Sequence, residues 1–406
     1  MDYDILVIGG GPIGLLTAYN IAKIEQNLTI TVLEEHKEIG LPQHCAGIIS
    51  FSCLRVFDIS PDSRIIINKF RRAKVSLPGG YELTFSKSTP VAVLVDRVLL
   101  EKKLAEKAEG KGVKILTRST VLSVKEENNY VNILYVGEKL KGNIARASIV
   151  INAEGLGRRI ARQVFYIDEK HHTPLKAYME DYTATSISSK DLDMVRLYVG
   201  STYSKGLFAW CIPIDKETVR IGVASREKLM EKYSYVKKVV DKEFNLQGKK
   251  HSYTGLINTS GPLTRFVSEK GRIILVGDSA GQDKPTTGGG LYYGGVASRI
   301  LASKIVLAYR TNSIHLIRNY ENEWWKLFRR EFKLMLKLRR ILDTLTDDEL
   351  IRILKHLDLR KLESEISLIA DFDLQSRACK NMLTTALTAA IKELGLRRII
   401  KLMLGG

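Results

Sequence analysis

Three glycines and one acid near the start of the chain have the types and spacing needed to hold a dinucleotide. Gly9, Gly11 and Gly14 form a GxGxxG series. The first glycine makes a tight turn, the second lets the backbone approach a pyrophosphate, and the third lets a helix pack on a strand. Glu34 follows about twenty residues later, where an acid can accept hydrogen bonds from two ribose hydroxyls. These residues predict a nucleotide site without identifying the dinucleotide.

The segments around these glycines follow the order that such a site requires. Residues 3–8 are an apolar run typical of a strand, and residues 15–22 have a helical pattern. Residues 28–33 predict a second strand that ends directly before Glu34. The helix N-terminus would offer free N–H groups and a positive dipole end to a phosphate. An ordinary glycine turn is the alternative, and the match of the whole unit makes it the weaker one.

A second carboxylate follows another predicted buried strand, at residues 272–276. Asp278 comes after Gly277, and the glycines at 288–290 open a later helix. A carboxylate at a strand end, followed by a glycine-rich helix start, suits a second hydroxylated and phosphorylated part of one extended ligand. In isolation, Asp278 could equally be a helix N-cap.

Together, the two motifs resemble the FAD-binding fold of the p-hydroxybenzoate hydroxylase-like flavoproteins. The resemblance implies FAD as the cofactor, with Asp278 on the ribityl hydroxyls. It also implies that the backbone of Gly289, Gly290 and Leu291 faces the isoalloxazine ring.

Two further positions match this superfamily. Asp96-Arg97 resembles its Asp-Arg motif, which implies that Arg97 reaches the FAD. The alternative is a helix-starting Asp beside a solvated Arg. Val121 matches the position whose backbone contacts the adenine.

Two segments narrow the resemblance to the geranylgeranyl reductases, including the archaeal digeranylgeranylglycerophospholipid reductases. Residues 38–47 (EIGLPQHCAG) resemble their EIGxPxxCGEG loop, and residues 208–213 (FAWCIP) resemble their YxWxFP segment, which lines the lipid cavity. The chain departs from both, because CGEG is CAGI here and the Tyr and Phe of the second segment are Phe208 and Ile212. These departures suggest a paralogue whose substrate differs from the archaeal membrane lipids.

The resemblance implies an FAD-dependent reductase that hydrogenates isolated C=C bonds of a polyprenyl (geranylgeranyl) chain in a lipid or isoprenoid, with the hydride coming from N5 of the reduced flavin. Cys45 is the candidate catalytic residue, as proton relay or as a group that tunes the flavin, and Ala46 lies beside it. A buried, inert cysteine is the alternative. The candidate substrate-binding residues, for which core packing is the alternative, are Phe208, Trp210, Ile212 and Tyr292, with Tyr293 as a further wall residue.

The order of elements predicts a mixed α/β fold. It consists of a Rossmann-like FAD-binding domain, an interleaved antiparallel β-sheet substrate domain and a C-terminal helical region. The predicted ranges are 1–61, 94–160 and 265–310 for the FAD-binding domain, 62–93 and 161–264 for the β-rich substrate domain, and 311–406 for the helical region.

Composition limits the remaining possibilities. The 406 residues include four cysteines without a CxxC pair and seven histidines without ligand spacing, so no metal site is predicted. No apolar run is long enough for a membrane span, and no signal peptide is recognised, so the cytoplasm is the expected location. The basic residues are spread over many segments, which argues against nucleic acid as a partner.

The net charge of +18 favours an acidic partner. The electron donor stays open between a reduced ferredoxin and NAD(P)H. Residues 324–340 and 389–404 mix apolar and basic side chains, which suggests peripheral contact with an anionic membrane on the cytoplasmic face. A helix packed on the FAD-binding domain with a solvated basic face is the alternative.

Three other functions stay open at this level. An aromatic hydroxylase (monooxygenase) could use the same fold, as could a quinone-linked electron-transfer flavoprotein, although the latter usually has a cluster-binding cysteine set that this sequence lacks. The third is a non-catalytic flavin-binding protein that docks on a membrane.

Overall fold

A computed structural model describes residues 2–61, 63–138, 142–168, 172–376, 388–395 and 397–399. Within them, two large sheets, one small sheet and surrounding helices form the mixed α/β fold that the sequence predicts. The strands are β1 (Tyr3–Ile8), β2 (Ile30–Leu33), β3 (Ile48–Ser50), β4 (Ile66–Phe70), β5 (Arg72–Ser76), β6 (Glu82–Ser86), β7 (Ala92–Val95), β8 (Lys114–Leu116), β9 (Thr120–Glu126), β10 (Val131–Val136), β11 (Gly142–Asn152), β12 (Leu175–Ala184), β13 (Met194–Tyr198), β14 (Ala209–Pro213), β15 (Thr218–Ser225), β16 (Leu246–Ile257) and β17 (Ile273–Leu275). The helices are α1 (Pro12–Ile24), α2 (Phe51–Val56), α3 (Arg97–Glu109), α4 (Ala161–Val164), α5 (Leu229–Phe244), α6 (Leu291–Arg310), α7 (Asn319–Thr344), α8 (Asp347–Leu354) and α9 (Leu359–Ile369).

The first large sheet has the strand order β8-β2-β1-β11-β10-β9, and β17 lies beside β11. Strands β2, β1, β11 and β17 run parallel, and α1 contacts both α3 and α6. Because the carboxyl ends of parallel strands meet at one edge of a sheet, Gly9, Glu34 and Asp278 all follow strands at the same edge. The predicted strand–helix–strand unit is confirmed as β1, α1 and β2.

The second large sheet has the order β16-β12-β15-β14-β13-β5-β6. Its neighbouring strands are antiparallel except β13 and β5, which are parallel. One face packs on α5 through Val219, Ile221 and Val236. Met179 and Trp210 belong to a different apolar cluster on the other face, as expected from the two-residue period of a strand. The strands of both large sheets fall inside the predicted ranges, while the domain boundaries themselves stay a prediction.

A three-stranded sheet in the order β3-β7-β4 lies between these two cores. Val93 and Val95 of β7 belong to the core of the first large sheet. Ala92 and Leu94, on the opposite face of the same strand, belong to the core of the second large sheet. Strand β7 therefore joins the half of the protein built on the first large sheet to the half built on the second large sheet.

Helix α7 packs its apolar side inward. Trp324, Phe328, Phe332 and Met335 all belong to the core of the first large sheet. Most basic side chains of α7, including Arg329, lie on the exposed side, whereas Arg339 is buried. The structure therefore favours the packed alternative for this helix, because its apolar face is not available to a membrane.

Two findings bear on the predicted membrane contact. In the part of the chain that the structure describes, none of the helices is long and apolar enough to cross a membrane. Part of the second basic segment, including Lys401, lies outside the described residues.

Candidate active site

Two glycines hold α1 tightly against the first large sheet. Gly9 has a φ of +98°, and a Cβ there would lie 2.5 Å from the carbonyl oxygen of Ala153. A Cβ at Gly14 would lie 2.1 Å from the carbonyl oxygen of Gly9. Any side chain would force the strand and the helix apart, so close packing requires glycine at both positions.

Gly11 precedes α1 and faces open space. A Cβ at Gly11 would meet no atom of the described protein within 4 Å, and this residue lines a large cavity. Gly11 is also the N-cap of α1, and no side chain among the described residues caps this end. The first N–H groups of the helix are therefore left for a ligand, which fits the pyrophosphate of a dinucleotide.

The predicted adenosine end of the site contains Glu34 and Val121. The Glu34 carboxylate accepts hydrogen bonds from the backbone N–H of Gly10 at 2.6 Å and from that of His36 at 2.8 Å. A carboxylate has about four acceptor sites, so Glu34 can also accept from a ribose. The carbonyl oxygen of Val121 accepts from Arg159. The roles of Glu34 and Val121 toward a nucleotide stay predictions.

Asp278 and the glycine loop meet at the start of α6. A Cβ at Gly290, the N-cap of this 20-residue helix, would lie 2.9 Å from Oδ1 of Asp278 and 2.1 Å from Oδ1 of Asp283. Burial raises the pKa of Asp283 well above its usual value, and the neighbouring Asp278 raises it further. A neutral acid at Asp283 lets two carboxyl groups lie close together beside the loop.

One cavity of about 970 Å³ connects these groups. Gly14 packs beneath the cavity, and the other predicted site residues except Tyr293 line it. The lining residues include Gly9, Gly11, Glu34, Cys45, Ala46, Arg97, Val121, Phe208, Trp210, Ile212, Asp278, Gly289, Gly290, Leu291 and Tyr292. The nucleotide motif and the lipid-cavity motif, which are far apart in sequence, therefore face the same space.

Cys45 is half-buried on the cavity wall and lies beside the guanidinium of Arg97. Arg97 donates a hydrogen bond to Oε1 of Glu101 at 2.6 Å. Burial lowers the pKa of Arg97, but the nearby Cys45 and Glu101 outweigh this effect and raise the pKa overall. The Cys45 thiol therefore lies beside a cation that stays charged, which is the kind of setting in which a cysteine can act chemically.

The cavity wall formed by the second large sheet is apolar. The indole of Trp210 lies directly over Gly222, where a Cβ would come within 2.3 Å of the ring. Phe208 meets Trp210 edge to face, with ring centroids 6.2 Å apart. Ile212 is buried and lines the same wall. This combination can hold a long hydrocarbon chain and exclude water from it.

The side chains of Tyr292 and Tyr293 point in different directions at the start of α6. Tyr292 lines the cavity, as predicted. The prediction that Tyr293 also forms a wall is wrong, because its side chain is fully buried in the core against Phe328 and Phe332. Neighbours on a helix point about 100° apart, so only one of the two can face the cavity.

Sequence reasoning missed several charged residues at the site. Arg220 holds the loop that carries Cys45, because its Nη1 donates to the carbonyl oxygen of Ala46 at 2.8 Å. Lys284 and Asp373 also line the cavity. The position of Lys284 shortly before the glycines at 288–290 was a usable signal, whereas the sequence around Asp373 carries none.

Metal ions bind to groups of His, Cys, Asp and Glu side chains. Among the described residues, no group of three or more such side chains is placed to hold a metal ion.

Comparison with known proteins supports the predicted resemblance. The chain is 27% identical over 360 residues to the digeranylgeranylglycerophospholipid reductase of Methanocaldococcus jannaschii, covering 86% of this chain and 88% of that protein. It is 27% identical over 384 residues to digeranylgeranylglycerophospholipid reductase 2 of Methanothermobacter thermautotrophicus, covering 91% and 96%. The crystal structure of a geranylgeranyl bacteriochlorophyll reductase-like protein from Thermoplasma acidophilum superposes with a TM-score of 0.81 at 23% identity, covering 97% and 98% of the two chains. The predicted resemblance to the geranylgeranyl reductases is therefore confirmed.

A family assignment extends over most of the sequence. The family described as lycopene cyclase protein matches residues 4–359. This range includes the nucleotide cradle, formed by the glycine turn at residues 9–14 and Glu34. It also includes the Cys45 loop, the apolar wall and the glycine loop before α6. The chain therefore belongs to the lycopene cyclase protein family.

Proposed function

We propose that this protein is an FAD-dependent reductase that hydrogenates isolated C=C bonds of a polyprenyl chain, such as a geranylgeranyl group of a lipid or isoprenoid. The observation that carries the proposal is the single cavity that leads from the cradle at Gly11 to the apolar wall at Trp210. The names of the two archaeal relatives support a geranylgeranyl lipid as the substrate class.

The cradle fits FAD in particular. A pyrophosphate fits the N-terminus of α1, and a second group of hydroxyls and phosphates fits between Asp278 and the N-terminus of α6. These sites lie at one edge of the parallel strands, as one extended ligand requires. Glu34 would hold the adenosine ribose, Arg97 would reach the cofactor, and Gly289 and Leu291 would border the ring. Bound FAD in its reduced form supplies the hydride.

The protein supplies orientation and a dry environment. Trp210, Phe208 and Ile212 would hold the polyprenyl chain extended along the second sheet, since an unactivated C=C bond offers no polar group to grip. Cys45 lies where the Arg97 cation meets the cavity, which suits a role in tuning the flavin or relaying a proton. Fixing the double bond close to the ring is the main contribution expected from these walls.

The electron donor is a separate part of the proposal. A reduced ferredoxin and NAD(P)H are both retained, and the net charge of +18 favours an acidic protein. The exposed basic side of α7, which includes Lys326, Arg329 and Arg330, is a candidate docking surface for it. Peripheral contact with an anionic membrane would use such exposed basic side chains, since the apolar side of α7 is buried.

The decisive test is an anaerobic assay of purified holoprotein with chemically reduced FAD and a geranylgeranyl lipid. The lipid should gain the mass of two hydrogen atoms for each bond that is saturated, measured by mass spectrometry. A separate aerobic assay with an aromatic acid and NADPH examines the hydroxylase alternative. Oxygen-dependent hydroxylation without any lipid saturation would overturn the proposed function.

A further inference from the structure

Three polar side chains from distant parts of the chain meet inside the cavity. Nζ of Lys284 lies 3.5 Å from Oδ1 of Asp373, and Ser50 donates a hydrogen bond to Oδ2 of the same carboxylate. Lys284 and Asp373 are each only about 3% exposed, and all three residues line the cavity. Removing a lysine and an aspartate from water is expensive, so a buried pair in a cleft is a candidate for a functional role.

Among the described residues, the hydrogen-bond partners of the Lys284 ammonium come from the segment Phe372–Asp373. It donates to the carbonyl oxygen of Phe372 at 2.9 Å and lies 4.3 Å from the centroid of the Phe372 ring. Lysine has three N–H donors, and the long contact to Asp373 is its other described polar partner. The ammonium is therefore positioned by the Phe372–Asp373 segment while its residue faces the cavity.

Lys284 lies at the end of the cavity where the flavin ring is expected to bind. A Cβ at Gly289 would lie 2.9 Å from Cε and 3.4 Å from Nζ of Lys284. Gly289 belongs to the loop proposed to border the isoalloxazine ring, next to Gly290 and the start of α6. The lysine is thus close to where the double bond must lie to receive a hydride.

We propose that Lys284 is the proton donor of the reaction, which makes it a second catalytic residue beside Cys45. This inference rests on the proposed function. One alkene carbon receives the hydride, with two electrons, as the reduced flavin is oxidised. The other carbon uses the π-electron pair to form a C–H bond to a proton from the Lys284 ammonium. Lys284 becomes a neutral amine, which regains a proton from water after the product leaves.

The electrostatic surroundings support this role. Burial lowers the pKa of Lys284 from its usual value, and this effect exceeds the opposing influence of Asp373, Cys53 and Asp371. Burial raises the pKa of Asp373. Both shifts reduce the difference in proton affinity between the two groups, so the ammonium releases its proton more readily than an exposed lysine does.

The first test is single-turnover oxidation of the reduced holoenzyme by a geranylgeranyl lipid. Lys284→Met should slow the reaction about 100-fold, since positioned general acids contribute at least that much. In the wild-type enzyme, the rate should fall as the pH rises through the lowered pKa of Lys284, and the variant should lose this dependence. A Lys284→Met rate within about twofold of wild type, or an unchanged pH profile, would overturn the proposal.

Lys284→Arg separates proton donation from charge and folding. The guanidinium keeps the cation beside Asp373 but holds its proton too tightly to donate it. We expect this variant to retain FAD and thermal stability and yet to remain slow. A wild-type rate in Lys284→Arg would show that charge alone suffices, which contradicts the proposal.

A measurement without turnover keeps this inference distinct from the proposed function. In holoenzyme with ¹³C-labelled lysine, the signal that disappears in Lys284→Arg should titrate below the surface lysines. Lys107 is the matched control, because burial also lowers its pKa and its Nζ donates to the carbonyl oxygen of Asp58 at 2.9 Å, away from the cavity. Lys107→Met should leave turnover unchanged. If the wild type does not saturate the lipid, the proposed function fails, whereas a Lys284 signal with an ordinary pKa overturns the proton donor alone.

Discussion

Arg220 donates a hydrogen bond to the carbonyl oxygen of Ala46 at 2.8 Å, across 174 positions of the sequence. The same guanidinium forms a two-pronged ion pair with Asp181, at 2.7 and 2.8 Å, and both side chains are almost fully buried. Tyr253 donates to Asp181 at 3.1 Å and completes the group. The second large sheet thereby fixes the loop that carries Cys45, so the position of the candidate catalytic thiol depends on a strand far from it in sequence.

Replacing Arg220 by Met should destabilise the protein and loosen the Cys45 loop. Breaking a buried ion pair leaves Asp181 uncompensated, which costs about 3–5 kcal/mol in the free energy of unfolding. Urea denaturation would measure the loss. Arg310→Met is the control, because its ion pair with Glu25 lies on the surface and should contribute little. Equal effects of the two changes would contradict the importance assigned to the Arg220 group.

The two glycines of the cradle should respond differently to alanine. Gly14→Ala places a Cβ 2.1 Å from the Gly9 carbonyl oxygen. The free energy of unfolding should therefore fall by about 1–3 kcal/mol, even without cofactor. Gly11→Ala meets no described atom within 4 Å, so the fold should persist while FAD affinity falls, because the methyl group enters the space proposed for the pyrophosphate. Calorimetry and flavin fluorescence titration separate the effects. Unchanged FAD affinity in Gly11→Ala would place the cofactor elsewhere.

Gly222 should be needed for the substrate wall rather than for the cofactor. A Cβ at this position comes within 2.3 Å of the Trp210 indole, so Gly222→Ala must displace the ring toward the cavity. We expect kcat/KM for a polyprenyl lipid to fall by at least about tenfold, which corresponds to about 1.4 kcal/mol, with FAD content unchanged. Flavin absorbance of the purified variant and lipid product analysis give the two values. Loss of FAD together with activity would show that the wall is not separate from the cofactor site.

Cys45→Ser should reduce C=C saturation while leaving FAD bound. Its thiol lies in the cavity beside Arg97, whereas burial raises the pKa of Cys211 to about 12 despite the nearby Arg196. Cys211→Ala is therefore the control, and it should affect activity only through stability. Mass-spectrometric mapping after thiol alkylation should find Cys45 modified and Cys211 protected. Full activity in Cys45→Ser would remove the thiol from the mechanism.

The nucleotide half of the site could be predicted from local patterns, because each motif specifies structural elements that follow one another directly along the chain. The run from Tyr3 to Glu34 specifies a strand, a turn, a helix and an acid, and all follow one another in the structure. The same holds for Asp278 and the glycines before α6.

Contacts between distant segments could not be predicted in this way. Neither Arg220 with Ala46 nor Lys284 with Asp373 shows a pattern in sequence, because each pair forms only when separate strands and helices pack together. The same limit explains α7, whose mixture of Trp324 and basic residues suits a membrane surface and a protein core equally well until its neighbours are known.

Strand β7 restricts how this protein can change its substrate. Val93 faces the core that supports the cofactor cradle, and its neighbour Leu94 faces the core beneath the lipid wall. A shift of one residue in this strand would exchange the two sets of side chains and damage both cores together. New substrate preferences can therefore arise more easily on β14, through residues such as Ile212, than on β7. Sequence variation among relatives that act on different lipids should concentrate on β14, while the side chains of β7 keep their size and polarity.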